Sequence, residues 1–313
     1  MSARERNGVL CGLAAFFIWG VLPLYFVAVR HISQLEILAQ RIVWSVILLA
    51  LVLSVLGRWG AVLNCFRTPR TGLLFLISAI LLSANWLIYI HGVATRQTVE
   101  TSLGYFINPL LNVAFGMILF HERLRPAQIL ALAFGTLAVA ILIVAAGQIP
   151  WIALSLAVTF ATYGLLRKIA PADAIVGLSI ETIVLTPAAL AYLAYLASTG
   201  QMQWLTTDGT TFGLIIASGV ITTAPLLCFG QAARTVPLST LGFMQFIAPS
   251  MQFLLAITLL GEPLSTVKLV SFICIWIGLA IYCYDAWRTG RIARAKTDRF
   301  VNEQVVESAA AEA

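Results

Sequence analysis

"GYFINPLLN", residues 104 to 112, lies inside an apolar run long enough to cross a bilayer, yet it carries a tyrosine, two asparagines and a proline. Each is costly in hydrocarbon, where an unpaired amide or a freed backbone carbonyl finds no water. Spaced three or four residues apart on a helix, Tyr105, Asn108, Pro109 and Asn112 share one face. Lipid would reject that face, so it must look at other helices or at a cavity. "FIAPSMQ" at 246 to 252 repeats the rhythm of Phe, Ile, Pro and amide, and Gln245, Pro249 and Gln252 form the corresponding stripe. These amides read either as interhelical hydrogen bonding around two kinked helices or as the lining of a central cavity. Their paired occurrence favours the cavity.

The rest of the chain has the same character. Of its 313 residues 60% are apolar and 10% charged, against roughly half and a quarter in a soluble domain. Runs of about 20 apolar residues, each able to span about 30 Å of hydrocarbon, recur at 8–29, 35–56, 71–94, 101–120, 126–146, 149–168, 174–197, 211–233, 237–260 and 266–287. The expected fold is an all-α polytopic membrane protein of ten transmembrane helices. Short connections leave no room for a soluble catalytic or receptor domain between helices. The first run follows a charged segment, as a signal peptide would, but it is too long for an h-region and reads as a retained helix.

The net charge of +6 follows the membrane and does not call for nucleic acid. With the N-terminus in the cytoplasm, inner segments collect Arg4, Arg6, Arg58, Arg67, Arg70, Arg123, Arg125, Arg167, Lys168, Arg234 and the basic residues from Arg288 on. Outer segments collect only Arg30, Arg96 and Lys268, a bias that fits both termini in the cytoplasm. Residues 288–313 mix both signs of charge and end in "ESAAAEA", a composition that cannot bury a core and is expected to form a disordered tail. Cys11, Cys65, Cys228, Cys274 and Cys283 lack ligand-like spacing and read as packing residues. No metal or cofactor is called for.

The chain repeats itself. "GVATRQTVETSLG" at 92 to 104 aligns with "GQAARTVPLSTLG" at 230 to 242, "FFIWG" at 16 to 20 with "FATYG" at 160 to 164, and "QRIVWS" at 40 to 45 with "ETIVLT" at 181 to 186. The halves are then 1–147 and 148–287, each with five spans. An odd number forces the second copy to enter the membrane upside down, giving a 5+5 inverted repeat. Secondary transporters use such repeats because two similar units make inward-open and outward-open states of comparable energy. "FIWG", "SLGYFINPL", "TTAPLLCF" and "LSTLGFMQFIAP" resemble the EamA branch of the drug/metabolite transporter superfamily, and more closely its RarD group. The resemblance covers almost the whole chain before the tail. It implies a bacterial inner-membrane permease exporting amino acids, metabolites or drugs.

Several other polar and aromatic positions point inward. In the third span Asn85, Tyr89, Gly92 and Arg96 run down one face beside Trp86, and Thr222, Thr223 and Pro225 interrupt the eighth. Trp19 precedes Gly20 in the first span as Tyr163 precedes Gly164 in the sixth. The expected substrate-binding set is therefore Trp19, Asn85, Trp86, Tyr89, Tyr105, Asn108, Tyr163, Gln245 and Gln252. Two ionisable residues, Arg41 and Glu181, fall within spans, where charge marks function by default. Their depths argue against a direct pair. Arg41 is expected to snorkel outward or to meet Glu36 or Glu100, and Glu181 to meet Arg167 or Arg234 or else to exchange protons as a coupling carboxylate. Glu122 and Glu262 each precede a helix and read as dipole caps.

A membrane-embedded enzyme would need clustered acids, bases or metal ligands. His31, His91 and His121 are dispersed, and there is no HExxH, GxSxG or Walker pattern. A structural or sensory membrane protein remains the other alternative to a carrier of a small polar or amphiphilic solute. No strong GxxxG face marks a homodimer seam.

Overall fold

The computed structural model describes residues 3–120, 125–146, 149–235, 244–285 and 288. Eleven helices are described: α1 (Ala3–Ala28), α2 (Gln34–Val55), α3 (Trp59–Phe66), α4 (Pro69–Ala94), α5 (Thr98–Phe120), α6 (Pro126–Ala146), α7 (Trp151–Ile169), α8 (Ala174–Ser198), α9 (Gly209–Thr235), α10 (Ile247–Thr258) and α11 (Thr266–Asp285). A single 3-10 turn, Trp204–Thr206, precedes α9. Among the described residues there is no strand. Seven helices, α1, α2, α4, α6, α8, α9 and α11, are long and apolar enough to cross a membrane, α5 runs for 23 residues, and α7 and α10 contribute shorter apolar segments.

Local chemistry sets the helix ends. The Ser33 hydroxyl accepts from the Glu36 amide at the start of α2, and the Asp173 carboxylate accepts from the Ile175 and Val176 amides at the start of α8, each satisfying donors that a helix N-terminus leaves free. Pro69 opens α4, where its missing N–H costs nothing. At the other end of α4 the chain turns through Arg96 with φ 58°, and the Gln97 amide reaches back to the Gly92 carbonyl at 2.7 Å. Arg96 is thus an exposed left-handed cap beyond the helix and not a member of the Asn85–Tyr89 face on which its spacing placed it.

Large apolar side chains such as Phe17, Leu51, Ile80, Leu190, Val220 and Ile273 point outward from successive helices, a surface suited to lipid. Because lipid tails are as apolar as leucine, helix association rests on close packing and interhelical hydrogen bonds. Gly104 brings α5 against the α7 backbone, and Gly219 brings α9 against the α2 backbone at Trp44. Helices distant in the chain pack together: α1 on α9 and α10, α2 on α8 and α9, α4 on α7 and α8, and α5 on α7 and α10. Phe106, Ala138, Ala153, Phe253, Phe272 and Ile275 knit α5, α6, α7, α10 and α11 into a second core beside the main one.

Two elements depart from the sequence expectation. The connection after the second span holds α3, which buries Val62 and Cys65 against Leu53, Phe75, Val176 and Ile180 and exposes Leu63 and Phe66. The ninth span was expected as one helix over 237–260, whereas a turn at Gln245 and Phe246 separates the helical Met244 from α10, and residues 236–243 lie outside the described part. Pro249 therefore sits in the first turn of a helix and does not kink one, and Gln245 lies in the turn before it. The side chains of Pro109 and Asn112, Glu122, and the tail from 289 onward also lie outside the described residues.

Candidate functional site

A row of aromatic rings crosses the interior. Phe26 of α1 meets Tyr89 of α4 at 5.7 Å, Tyr89 meets Tyr105 of α5 at 5.8 Å, Tyr105 meets Phe160 of α7 at 5.8 Å, and Phe160 meets Tyr163 at 5.9 Å. Centroid spacings in this range are those of attractive tilted and edge-to-face pairs. Asn85 braces the middle of the row. Its Nδ2 donates to the Leu156 carbonyl at 3.1 Å and to Thr159 Oγ1 at 2.9 Å, while its Oδ1 accepts from the Tyr105 hydroxyl at 3.2 Å. One buried amide therefore joins α4, α5 and α7.

The two intramembrane charges stand at opposite ends of this row. Arg41, with 5% of its surface exposed, lies beyond Phe26. Its guanidinium carbon sits 4.4 Å from the Trp86 ring centroid and 5.6 Å from that of Phe26, and its Nε–H donates to Thr222 Oγ1 at 2.5 Å. It neither snorkels outward nor meets Glu36 or Glu100, as the sequence suggested. Those carboxylates are held by backbone amides: Glu36 accepts from Gln203 and Trp204, and Glu100 from Ile152. Backbone donors at helix and turn starts are fixed, dipole-aligned partners, whereas Arg41 would have to extend to compete for them.

Glu181, fully buried, lies beyond Tyr163. The Tyr163 hydroxyl donates to Oε2 at 3.2 Å, the Ser78 hydroxyl donates to Oε1, and Arg167 Nη1 lies 3.8 Å from Oε1. Gly177 makes room for the Arg167 guanidinium against α8, where a Cβ would collide with it. Arg167 Nη2 also donates to the Asp173 carbonyl at 2.9 Å. A buried carboxylate needs such compensation, because leaving one partner of a buried pair alone is strongly destabilising.

The remaining expected residues fall on neighbouring walls. Trp19 is half-buried against Phe16 and Phe229, and its carbonyl accepts from Gln252 Nε2 at 2.9 Å. Gln252 Oε1 and Asn108 Oδ1 are buried without a hydrogen-bond partner among the described residues. Ser102 Oγ donates to the Pro249 carbonyl at 2.7 Å, joining α5 to α10. Gln245 is half-buried in its turn, away from the helical stripe it was expected to share with Gln252. Glu262 does cap a helix, but a distant one: its two oxygens accept from the Thr98 and Val99 amides at the start of α5, at 2.7 and 2.9 Å.

Sequence reasoning missed Ser78, Thr159, Phe160 and Tyr25. Ser78 had a signal, since it lies two turns before Asn85 on the same helical face. Among the described residues no group of three or more His, Cys, Asp or Glu could hold a metal, and the five cysteines are free. The arrangement offers aromatic walls, unpaired amide oxygens and two fixed charges, which suits reversible binding of a small solute.

Comparison with known proteins agrees. The EamA-like transporter family model matches residues 6–144. An uncharacterized transporter of Vibrio cholerae is 43% identical over 92% of this chain and 96% of its own length. Protein RarD of Escherichia coli (strain K12) is 41% identical over 93% of this chain and 99% of its own. A solved crystal structure, 17% identical, matches 88% of this chain and 96% of its own with a TM-score of 0.58, a likeness of fold alone. The chain belongs to the EamA-like transporter family, within its RarD group, and is a multi-pass membrane transporter.

Proposed function

We propose that the protein is a secondary carrier that moves a small polar or amphiphilic organic solute across the bacterial inner membrane by alternating access, working as an exporter. In this reading ten helices form a 5+5 inverted repeat, residues 1–147 and 148–287, with both termini and the tail 288–313 in the cytoplasm. The observation that carries it is the packing between the halves. Exchanging α1 with α7, α2 with α8, α4 with α9 and α5 with α10 turns α1–α9 into α7–α4, α1–α10 into α7–α5 and α2–α9 into α8–α4, while α2–α8 and α5–α10 map onto themselves. A bundle whose contacts survive that exchange can rock between two states of similar energy.

The substrate would bind along the aromatic row, between Trp19, Trp86, Tyr89, Tyr105 and Tyr163, with Asn85, Asn108, Gln245 and Gln252 supplying amide contacts. Glu181 would serve as the proton-coupling carboxylate, with the Arg167 guanidinium 3.8 Å away favouring its ionised form once the proton has left to water. Counterflow in proteoliposomes, with labelled amino acids and chloramphenicol, tests the carrier. Saturable exchange lost in folded Asn108→Ala and Gln245→Ala supports the shared site, whereas exchange untouched by both removes these amides from it. A Glu181→Gln protein that keeps the wild-type dependence on a pH gradient would sink proton coupling.

A further inference from the structure

Arg41 is a buried cation whose charge no acid among the described residues answers, and its one hydrogen bond among them, Nε–H to Thr222 Oγ1, leaves both Nη groups without a partner. The acids that could have served are committed elsewhere. Glu36 and Glu262 spend both oxygens on backbone amides, Glu100 accepts from Ile152, and Glu181 is held by Ser78, Tyr163 and Arg167. What does surround the guanidinium fixes its position. Trp86 lies 4.4 Å away, a cation–π contact, and Thr222 holds Nε. Tyr25, Tyr89 and Tyr105 are the other ionisable groups within electrostatic reach.

A second observation points to a ligand. The Tyr89 hydroxyl, on a side chain 2% exposed, has no hydrogen-bond partner among the described residues, and neither does Thr223 Oγ1, next to Thr222 on α9. Buried hydroxyls and guanidinium N–H groups are normally satisfied. Here the Arg41 guanidinium and the Tyr89 hydroxyl lie within electrostatic reach of one another without an acceptor among the described residues. The group they lack is an anion with paired acceptor atoms, and a planar guanidinium edge matches a carboxylate bidentately. Charge counting narrows the class. Arg167, partly buried at the far end of the row, already answers Glu181, so the charge on Arg41 stands alone and a dianion would enter half-compensated.

We infer that Arg41 anchors the carboxylate of the transported solute, so that the site takes small organic monocarboxylates with an apolar body lying along Tyr89 and Tyr105. This rests on the carrier reading and sharpens it, since a neutral amphenicol would leave the guanidinium unanswered.

The test is ligand-dependent thermal unfolding of the purified full chain in detergent, with aliphatic, aromatic and amino-acid monocarboxylates each compared with its methyl ester. At least one acid should stabilise the wild type saturably, with its ester binding about tenfold or more weakly. Arg41→Gln should erase that preference, Arg41→Lys should keep only part of it, and Tyr89→Phe should weaken the acid about threefold to tenfold. If Arg41→Gln does not fold, Arg41→Lys and Tyr89→Phe carry the test. Esters that bind as tightly as acids, a panel in which no acid binds, or a folded Arg41→Gln that still prefers acids would each overturn the inference. Counterflow of the same pairs separates the two readings. Acid binding without flux removes the carrier and keeps the anion site, whereas ester exchange as fast as acid exchange removes the anion site and keeps the carrier.

Discussion

Replacing Gly104 with alanine should push α5 and α7 apart. A Cβ at Gly104 would lie 2.7 Å from the Ala153 carbonyl oxygen and 3.0 Å from Leu156 Cβ. The closest comfortable C···O approach is about 3.3 Å, so the helices must part by about 0.6 Å. The obstacle is backbone and cannot rotate away, which places the change at the upper end of overpacking costs, about 3 kcal/mol. Alanine's better helix propensity returns about 1 kcal/mol, for a net loss of about 2 kcal/mol. Gly164 on α7 is the internal control, because nothing lies within 4 Å of its Cβ position. There the same substitution should stabilise by up to about 1 kcal/mol. Reversible unfolding by SDS titration in mixed micelles would measure both. Two variants that shift stability in the same direction, or a Gly104→Ala protein as stable as wild type, would refute the packing argument. The parting should also lengthen the 3.2 Å bond from the adjacent Tyr105 to Asn85, so Gly104→Ala should lose exchange more steeply than its stability alone predicts.

Asn85→Ala removes three interhelical hydrogen bonds; at about 0.6–1 kcal/mol each in a membrane it should cost about 2–3 kcal/mol in the same titration. Arg96→Gly relieves a left-handed residue and should stabilise by about 1 kcal/mol, with no loss of exchange, because the side chain is exposed and outside the aromatic row. At the start of α9 the Thr211 hydroxyl holds the Asp208 carboxyl below the usual carboxylate range, and Asp208 also accepts from the Thr210 and Thr211 amides. A depressed value means the cap is fully present above about pH 4 and is lost as the pH falls through it. Asp208→Ala should therefore lower the unfolding temperature at neutral pH and have less effect near pH 3, and an equal effect at both would contradict the cap.

Much of the candidate site was legible because polar residues in apolar helices stand out. Asn85, Tyr89 and Tyr105 could be assigned to inward faces by helical spacing, and the structure joins them through rings and hydrogen bonds. Gln245 could not be placed that way, since spacing presumes an unbroken helix, and a turn at Gln245 and Phe246 interrupts it before α10. Glu262 precedes the next helix in sequence, yet the donors it satisfies belong to α5, brought there by tertiary packing. Phe160 opens the repeated stretch "FATYG" three residues before Tyr163 on the same helical face, but a phenylalanine among many apolar residues does not stand out as the polar ones do.

What the sequence determined by itself was the environment: hydropathy compels helices that satisfy their own backbone in lipid. Only the tertiary structure decided the partners of the buried charges. Glu181 has Arg167, Ser78 and Tyr163 because α4, α7 and α8 converge there, and Arg41 has Trp86, Phe26 and Thr222 because α1, α4 and α9 surround it without bringing an acid. Pairing depends on which helix faces meet at one depth, and a linear pattern of apolar residues does not encode that meeting.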